Sequence, residues 1–139
     1  MEYVGGCHCG RIAYRVEGTI EQVVDCNCSL CRKRGGLLWF VPRDALTLTG
    51  EAQGVGTYTF NTHRIQHHFC TTCGIYTHHK RRSNPNEFGV NAACIQGVSP
   101  FDFEEVVVND GNRHPSDDPQ HRSFVTGCLR FERAEGEER

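Results

Sequence analysis

Seven of the nine cysteines in this 139-residue chain fall into three tight groups. They are Cys7-His8-Cys9, Cys26-Asn27-Cys28-Ser29-Leu30-Cys31 and Cys70-Thr71-Thr72-Cys73-Gly74. Thiolates at these spacings suit metal ions. In a C-x-C segment both side chains share one face of the extended backbone, because strand side chains alternate with period two. In a C-x-x-C segment followed by glycine, a tight turn aims both sulfurs inward. Gly74 accepts the positive φ that lets backbone N–H groups point at sulfur. One C-x-C and one C-x-x-C together supply the four thiolates of a closed, tetrahedral, structural zinc site. Cys7 and Cys9 pair naturally with Cys70 and Cys73, which would join the N-terminus to mid-chain. Cys26, Cys28 and Cys31 remain as three thiolates. Three protein ligands with an open fourth position are the pattern of a catalytic or exchangeable zinc.

The same residues admit other arrangements. All seven could hold metal structurally, with Cys94, Cys128 or a histidine as an eighth ligand. Four-cysteine sites also serve iron–sulfur clusters. Disulfides suit the chain less well. Nine is an odd number, and the first residues, Met1 to Gly6, lack the basic-then-apolar pattern of a secretory signal. A reducing, cytoplasmic setting is therefore expected, where clustered cysteines serve metals or catalysis. Cys94 and Cys128 sit singly in apolar segments and are expected to be buried as small hydrophobes.

The elements that must position these groups are short strands. Ile12, Tyr14 and Val16 alternate with polar or small residues; so do Leu46 and Leu48, Tyr58 and Phe60, and Ile65, His67 and Phe69. Phe101-Asp102-Phe103, leading to Val106-Val107-Val108, follows the same period. A period of two, rich in β-branched and aromatic types, predicts half-buried strands. Glycine and proline punctuate the gaps. Residues 29–34 can form one helical turn before Gly35-Gly36, and no segment sustains a helical period. The fold class expected is mainly β, of about ten short antiparallel strands, in a single domain over 1–131 with a charged tail over 132–139. Residues 109–123, NDGNRHPSDDPQHRS, form a polar loop long enough to be functional.

Composition excludes some functions. Fifteen Lys+Arg against seventeen Asp+Glu give a net charge of -2, without the basic surplus that nucleic-acid binding needs. The longest purely apolar run, 37–41, is far short of the ~20 residues that span a bilayer. No membrane and no nucleic-acid partner is expected, and oligomeric state cannot be read from these residues.

Gly5-Gly6-Cys7-His8-Cys9-Gly10, Cys26-Asn27-Cys28-Ser29-Leu30-Cys31-Arg32, Phe69-Cys70-Thr71-Thr72-Cys73-Gly74 and Asp110-Gly111-Asn112-Arg113-His114-Pro115, in that order, resemble the glutathione-dependent formaldehyde-activating enzyme family (the CENP-V/GFA domain). The resemblance implies a Mss4-like, zinc-stabilised β fold. It implies two zinc ions, a structural one on Cys7, Cys9, Cys70 and Cys73 and a second on Cys26, Cys28 and Cys31. It implies an activity, joining formaldehyde to the glutathione thiol as S-hydroxymethylglutathione. Its glutathione-contacting residues do not carry over one by one.

Arg32-Lys33-Arg34 follows the three-thiolate loop directly. Zinc with three thiolates carries a net charge of -1, so cations there would relieve it. Arg32 is the residue expected to hold an anionic thiol's carboxylate, against the simpler reading of a solvated basic turn. Asp110 and His114 could act as base and acid, or bind substrate, if the long loop folds over the second zinc; Asp-Gly is otherwise a plain turn. His114 gains weight from the resemblance. Within His67-His68 and His78-His79 the rings should face opposite ways. One could carry a proton, although hydrogen-bonded or surface strand residues are the simpler reading. His8 should point away from its neighbours' metal, and Trp39 and Phe40 read as core. The expected function is zinc-dependent carbon–sulfur lyase chemistry, in which a small, glutathione-like thiol adds reversibly to a small, formaldehyde-like carbonyl, with Cys26, Cys28 and Cys31 at the catalytic centre. The alternative is a non-catalytic zinc-dependent binding module, since fold does not imply function. A third possibility is a site that releases zinc when its thiolates oxidise.

Overall fold

Alternation along the first strand-like segment becomes β2 (Ala13–Glu17), which buries Tyr14 and Val16 and exposes Arg15 and Glu17, in a computed structural model that describes residues 1–82 and 84–136. It pairs antiparallel with β1 (Glu2–Gly6) and, on its other edge, with a strand over Leu46–Leu48, giving a three-stranded sheet. In chain order the elements between and beyond are β3 (Val24–Cys26), α1 (Cys31–Arg34), β4 (Leu38–Pro42), β5 (Leu46–Leu48), β6 (Val55–Tyr58), β7 (Gln66–Cys70), β8 (Tyr76–Lys80), β9 (Glu87–Asn91), β10 (Val106–Asn109) and β11 (Val125–Leu129). All but β1, β2 and β5 form a second sheet of eight strands, ordered β11-β10-β3-β4-β9-β8-β7-β6. The chain is thus mainly β, with α1 a single turn stopped by Gly35 at φ 74°.

The core lies between the two sheets. Ile12, Tyr14 and Val16 meet Val23, Trp39, Val41, Val90 and Val106 in one buried cluster. Fully burying an aliphatic or aromatic side chain of this kind contributes roughly 1.5–3 kcal/mol. Trp39 is in the core as expected, whereas Phe40 is only partly buried, under the Arg81 guanidinium at 3.8 Å.

Three details depart from the sequence reading. The second sheet is not wholly antiparallel, because β10 runs parallel to β3, with Asn109 beside Cys26. The C-terminal ends of both strands, and the loops that follow them, therefore leave from the same edge. Phe101-Asp102-Phe103 is not strand. Pro100–Asp102 is a 3₁₀ turn, with Phe101 N–H donating to Ser99 Oγ and Ser99 N–H to Asp102 Oδ2; the proline and the capping box override the alternation. Cys128 is exposed, because its strand, β11, is an edge strand whose five residues are all exposed. Cys94 is half-buried against the core.

Strands β7 and β8 pair His67 with His79 and His68 with His78. The rings face opposite sides of the sheet as alternation requires: His67 packs on His79 at 5.4 Å and His68 on His78 at 4.7 Å. His67, His78 and His79 are buried, so the surface reading fails for them; β8 is covered on both faces. Burial holds His78 down at about 3 from an ordinary 6.5 and pushes His79 well below its ordinary value. Both rings stay neutral in the folded protein at pH values where the unfolded chain takes up protons. Because the folded values are depressed, the stability involved is present above about pH 6.5 and lost as pH falls towards the folded values. His78→Gln is expected to flatten the pH dependence of unfolding between about pH 6 and 4 by close to one proton, read from denaturant midpoints. An unchanged slope would mean that His78 charges without unfolding the sheet.

Candidate metal centre

The β1–β2 hairpin carries Cys7 and Cys9, and the β7–β8 hairpin carries Cys70 and Cys73. The hairpins belong to different sheets, yet all four Sγ atoms lie within 4.8 Å of one another. Cys9 Sγ is 3.6 Å from both Cys7 Sγ and Cys70 Sγ. Zinc–sulfur bonds of ~2.3 Å at tetrahedral angles put sulfurs ~3.8 Å apart, so the donor set fits zinc. Backbone N–H groups aim at the sulfurs: Ile12 at Cys7 (3.2 Å), and Thr72 and Cys73 at Cys70 (both 3.4 Å). Gly74, at φ 80°, makes the knuckle turn that the sequence predicted. Donors from Cys9 and Ile75 pull the Cys73 thiol down to about 6, towards the thiolate a metal needs. Arg11 ties this knuckle to the chain after β5, bonding Thr72 Oγ1 at 2.9 Å and Glu51 at 3.0 Å. His8 is exposed and outside the cluster.

Cys26, Cys28 and Cys31 form the second cluster, again within 4.8 Å, and no fourth His, Cys, Asp or Glu joins them among the described residues. Cys26 ends β3 and Cys31 begins α1, so the loop closes within one turn and Cys31 N–H meets Cys28 Sγ at 3.3 Å. Hydrogen bonds from Cys26 and Cys31 hold the Cys28 thiol far below its ordinary range. Cys31 is pushed the other way, up, by Cys26 and Cys28 and by burial. A divalent cation bound here would displace the protons that the three thiols hold.

The long polar loop folds over this cluster. Asn27 N–H donates to Asn109 O at 3.2 Å, and Gly111 N–H donates to Asn27 Oδ1 at 2.7 Å. Asp110 accepts from Asn112 N–H and Arg113 Nε–H, both at 2.9 Å, and these bonds hold its carboxyl below the usual range. Asp110 therefore shapes the turn as a carboxylate. His114 Nδ1 accepts from Ser116 N–H at 3.0 Å, which leaves Nε2 to carry the proton of the neutral ring.

Between the loop and the cluster lies a cleft of ≈ 410 Å³. Its walls include Cys26, Cys28, Cys31 and His114. Arg32 is exposed on α1 and does not line it. The arginine that meets a sulfur is Arg34, whose Nη2 lies 3.1 Å from Cys31 Sγ. Helical spacing explains the difference: residues three apart share a face and adjacent residues do not. The cleft also contains His67, buried, with no hydrogen-bond partner among the described residues for either ring nitrogen. Burial lowers this ring to about 4.

Asn27 and Gly111 are site residues that motif reading left without roles, while Arg34 and His67 were named there only as members of a basic run and of the histidine pairs. Asn27 and Gly111 sit inside the motifs, but nothing local says that two segments so distant in sequence touch. A Cβ on Gly111 would lie 2.3–2.4 Å from Cys28 Cβ, Cα and N, so backbone would have to move. Gly111→Ala is therefore expected to fold but to lose about one metal equivalent per chain, while the four-cysteine site stays loaded. Metal analysis after gel filtration checks this; full loading would show that the loop yields instead of the cluster.

A family model described as glutathione-dependent formaldehyde-activating enzyme matches residues 2–107. That span holds all seven clustered cysteines and stops short of the 110–114 turn. A solved structure of a Rhodobacter sphaeroides protein is 44% identical, covering 74% of this chain and 96% of that one, with a TM-score of 0.70. With the family model matching residues 2–107, most of the chain and all seven clustered cysteines, this protein belongs to the glutathione-dependent formaldehyde-activating enzyme family.

Proposed function

We propose that the cleft joins a small thiol, of the glutathione type, reversibly to a small carbonyl compound, of the formaldehyde type, as a carbon–sulfur lyase resembling S-(hydroxymethyl)glutathione synthase. One observation carries the reading: three cysteines with no fourth protein ligand among the described residues lie in the wall of a ≈ 410 Å³ cleft. Zinc bound there would offer its fourth position to the substrate sulfur and favour the thiolate form. The four-cysteine cluster, closed and cross-linking two sheets, is read as structural.

The chain's own residues suit the rest of the reaction. Arg82, paired with Asp117 but with Nε buried and unpartnered among the described residues, faces the cleft with Arg113. Guanidinium groups of this kind fit the carboxylates of an anionic thiol. In the forward step the sulfur lone pair forms the C–S bond and the carbonyl π pair moves to oxygen, which takes up a proton. The reverse step returns that proton and breaks the C–S bond. His67 is neutral, with both ring nitrogens unpartnered among the described residues, and could turn one of them to that oxygen, while His114 Nε2 is a second donor on the same cleft. Loop residues 110–114 narrow the cleft and limit water.

The test uses metal-loaded protein. Thiol binding should release close to one proton per site near pH 7, seen by calorimetry in buffers of different ionisation enthalpy. Formaldehyde exchange followed by NMR should exceed the uncatalysed rate. His67→Phe, which keeps the ring packing, should cut that excess about tenfold with thiol affinity unchanged. Proton release without acceleration would leave a thiol-binding module and refute the enzyme.

Chelation separates the two clusters. Cys28→Ser should remain folded with about one zinc fewer, whereas Cys73→Ser should be insoluble or unfolded, because its metal links distant segments. Equal behaviour of the two variants would overturn the division into structural and open sites.

A further inference from the structure

Arg34 ends α1 and turns back on the second cluster. Its Nη2 donates to Cys31 Sγ at 3.1 Å, and its Cζ lies 3.6 Å from the centroid of the Tyr76 ring. Tyr76 is itself held, its hydroxyl hydrogen-bonded to His79 Nδ1. Nε and Nη1 of Arg34 are buried without a partner among the described residues.

The other arginines around the cleft each have a carboxylate: Arg81 has Glu87, Arg82 has Asp117 and Arg113 has Asp110. Arg34 has no carboxylate partner among the described residues. A guanidinium withdrawn from water without an anion is costly, so some anion must face it. Among the described residues the group in contact that can be anionic is the Cys31 sulfur, a thiolate once a metal is bound. Charge counting agrees, since a divalent cation with three thiolates leaves a net charge of -1, which one guanidinium cancels.

We propose that Arg34 is the positioning residue of the three-cysteine centre: its guanidinium is the counter-ion of the metal–thiolate set, and its hydrogen bond draws electron density from Cys31 Sγ. The inference deepens the proposed function and rests on metal binding by Cys26, Cys28 and Cys31. Two consequences follow. A hydrogen-bonded thiolate is a poorer donor, so the metal keeps more positive charge for a fourth, incoming sulfur. The neutralised set also repels an anionic thiol less. The stack on Tyr76 fixes the plane of the fork, which explains arginine over lysine, whose ammonium neither stacks flat nor forks.

Cobalt(II) substitution tests this with a readout that packing alone would not move. Wild type should take up two cobalt ions per chain, with sulfur-to-metal charge-transfer bands from both centres. In Arg34→Gln the band of the three-cysteine centre should move to longer wavelength, because a thiolate without its hydrogen bond gives up an electron more easily. Its affinity, measured against a chelator, should fall about 10–100-fold. Arg34→Lys should recover the affinity only in part. An unchanged band and affinity in Arg34→Gln, with both ions bound, would overturn Arg34's role and leave the proposed function standing. Uptake of a single cobalt by wild type would overturn metal binding at the cluster, and Arg34's role with it. Should neither variant fold, ¹⁵N spectra of the arginine side chains in the unchanged chain decide. One slowly exchanging Nη–H that shifts when the centre is loaded supports the assignment, and no responding guanidinium signal refutes it.

Discussion

Four sulfurs held within 4.8 Å, drawn from hairpins of two different sheets, cannot all be thiolates unless a cation sits among them. That constraint organises the molecule. It fixes the β1–β2 hairpin of the small sheet against the β7–β8 hairpin of the large one, at one end of a core built from Ile12, Tyr14, Val16, Trp39 and Val90. A β domain of short strands gains little cooperativity from any single hairpin, and a metal held by these four sulfurs would cross-link the two sheets beside the Tyr14–Thr77 hydrogen bond that also spans them. The same anchored β7–β8 pair carries His67 and His79 to the cleft at its other end.

The cleft depends on a second arrangement, the parallel pairing of β3 with β10. Antiparallel neighbours would send their following loops to opposite edges. Parallel ones send the Cys26–Cys28–Cys31 loop and the 110–114 turn out side by side. Asn27 then locks the two through Asn109 O and Gly111 N–H, and the missing side chain at Gly111 lets backbone lie directly on Cys28. The cysteine loop is thereby held by residues far away in sequence, which suits the open metal centre proposed for it.

Charge around the cleft is arranged in pairs. Arg82 and Arg113 are tied to Asp117 and Asp110, which leaves them aimed but partly neutralised, while Arg34 faces sulfur instead of carboxylate. The buried histidines between them are neutral, so the cleft floor offers hydrogen bonds without charge. Such a floor would suit the carbonyl or hydroxyl oxygen of the proposed reaction without competing for an anionic thiol.

Much of this was legible in the sequence. The cysteine spacings, together with Gly74, encode both clusters because ligand geometry at a knuckle is local: two or three residues and one positive φ suffice. The alternation of Ile12, Tyr14 and Val16 encodes β2 for the same reason, since the pleat repeats every two residues. The partners that meet across the fold were not legible. Phe101–Phe103 alternates yet turns, because Pro100 and the Ser99–Asp102 cap decide its backbone. Cys128 sits in an apolar segment yet is exposed, because β11 lies at a sheet edge. Arg34 rather than Arg32 meets the sulfur, and Gly111 rather than Asp110 touches Cys28, because those choices depend on which face of a one-turn helix and which side of a loop the parallel sheet turns inward. Sequence alone determined which residues could hold metal. Tertiary structure decided what surrounds those residues, because second neighbours come from segments whose proximity no local pattern records.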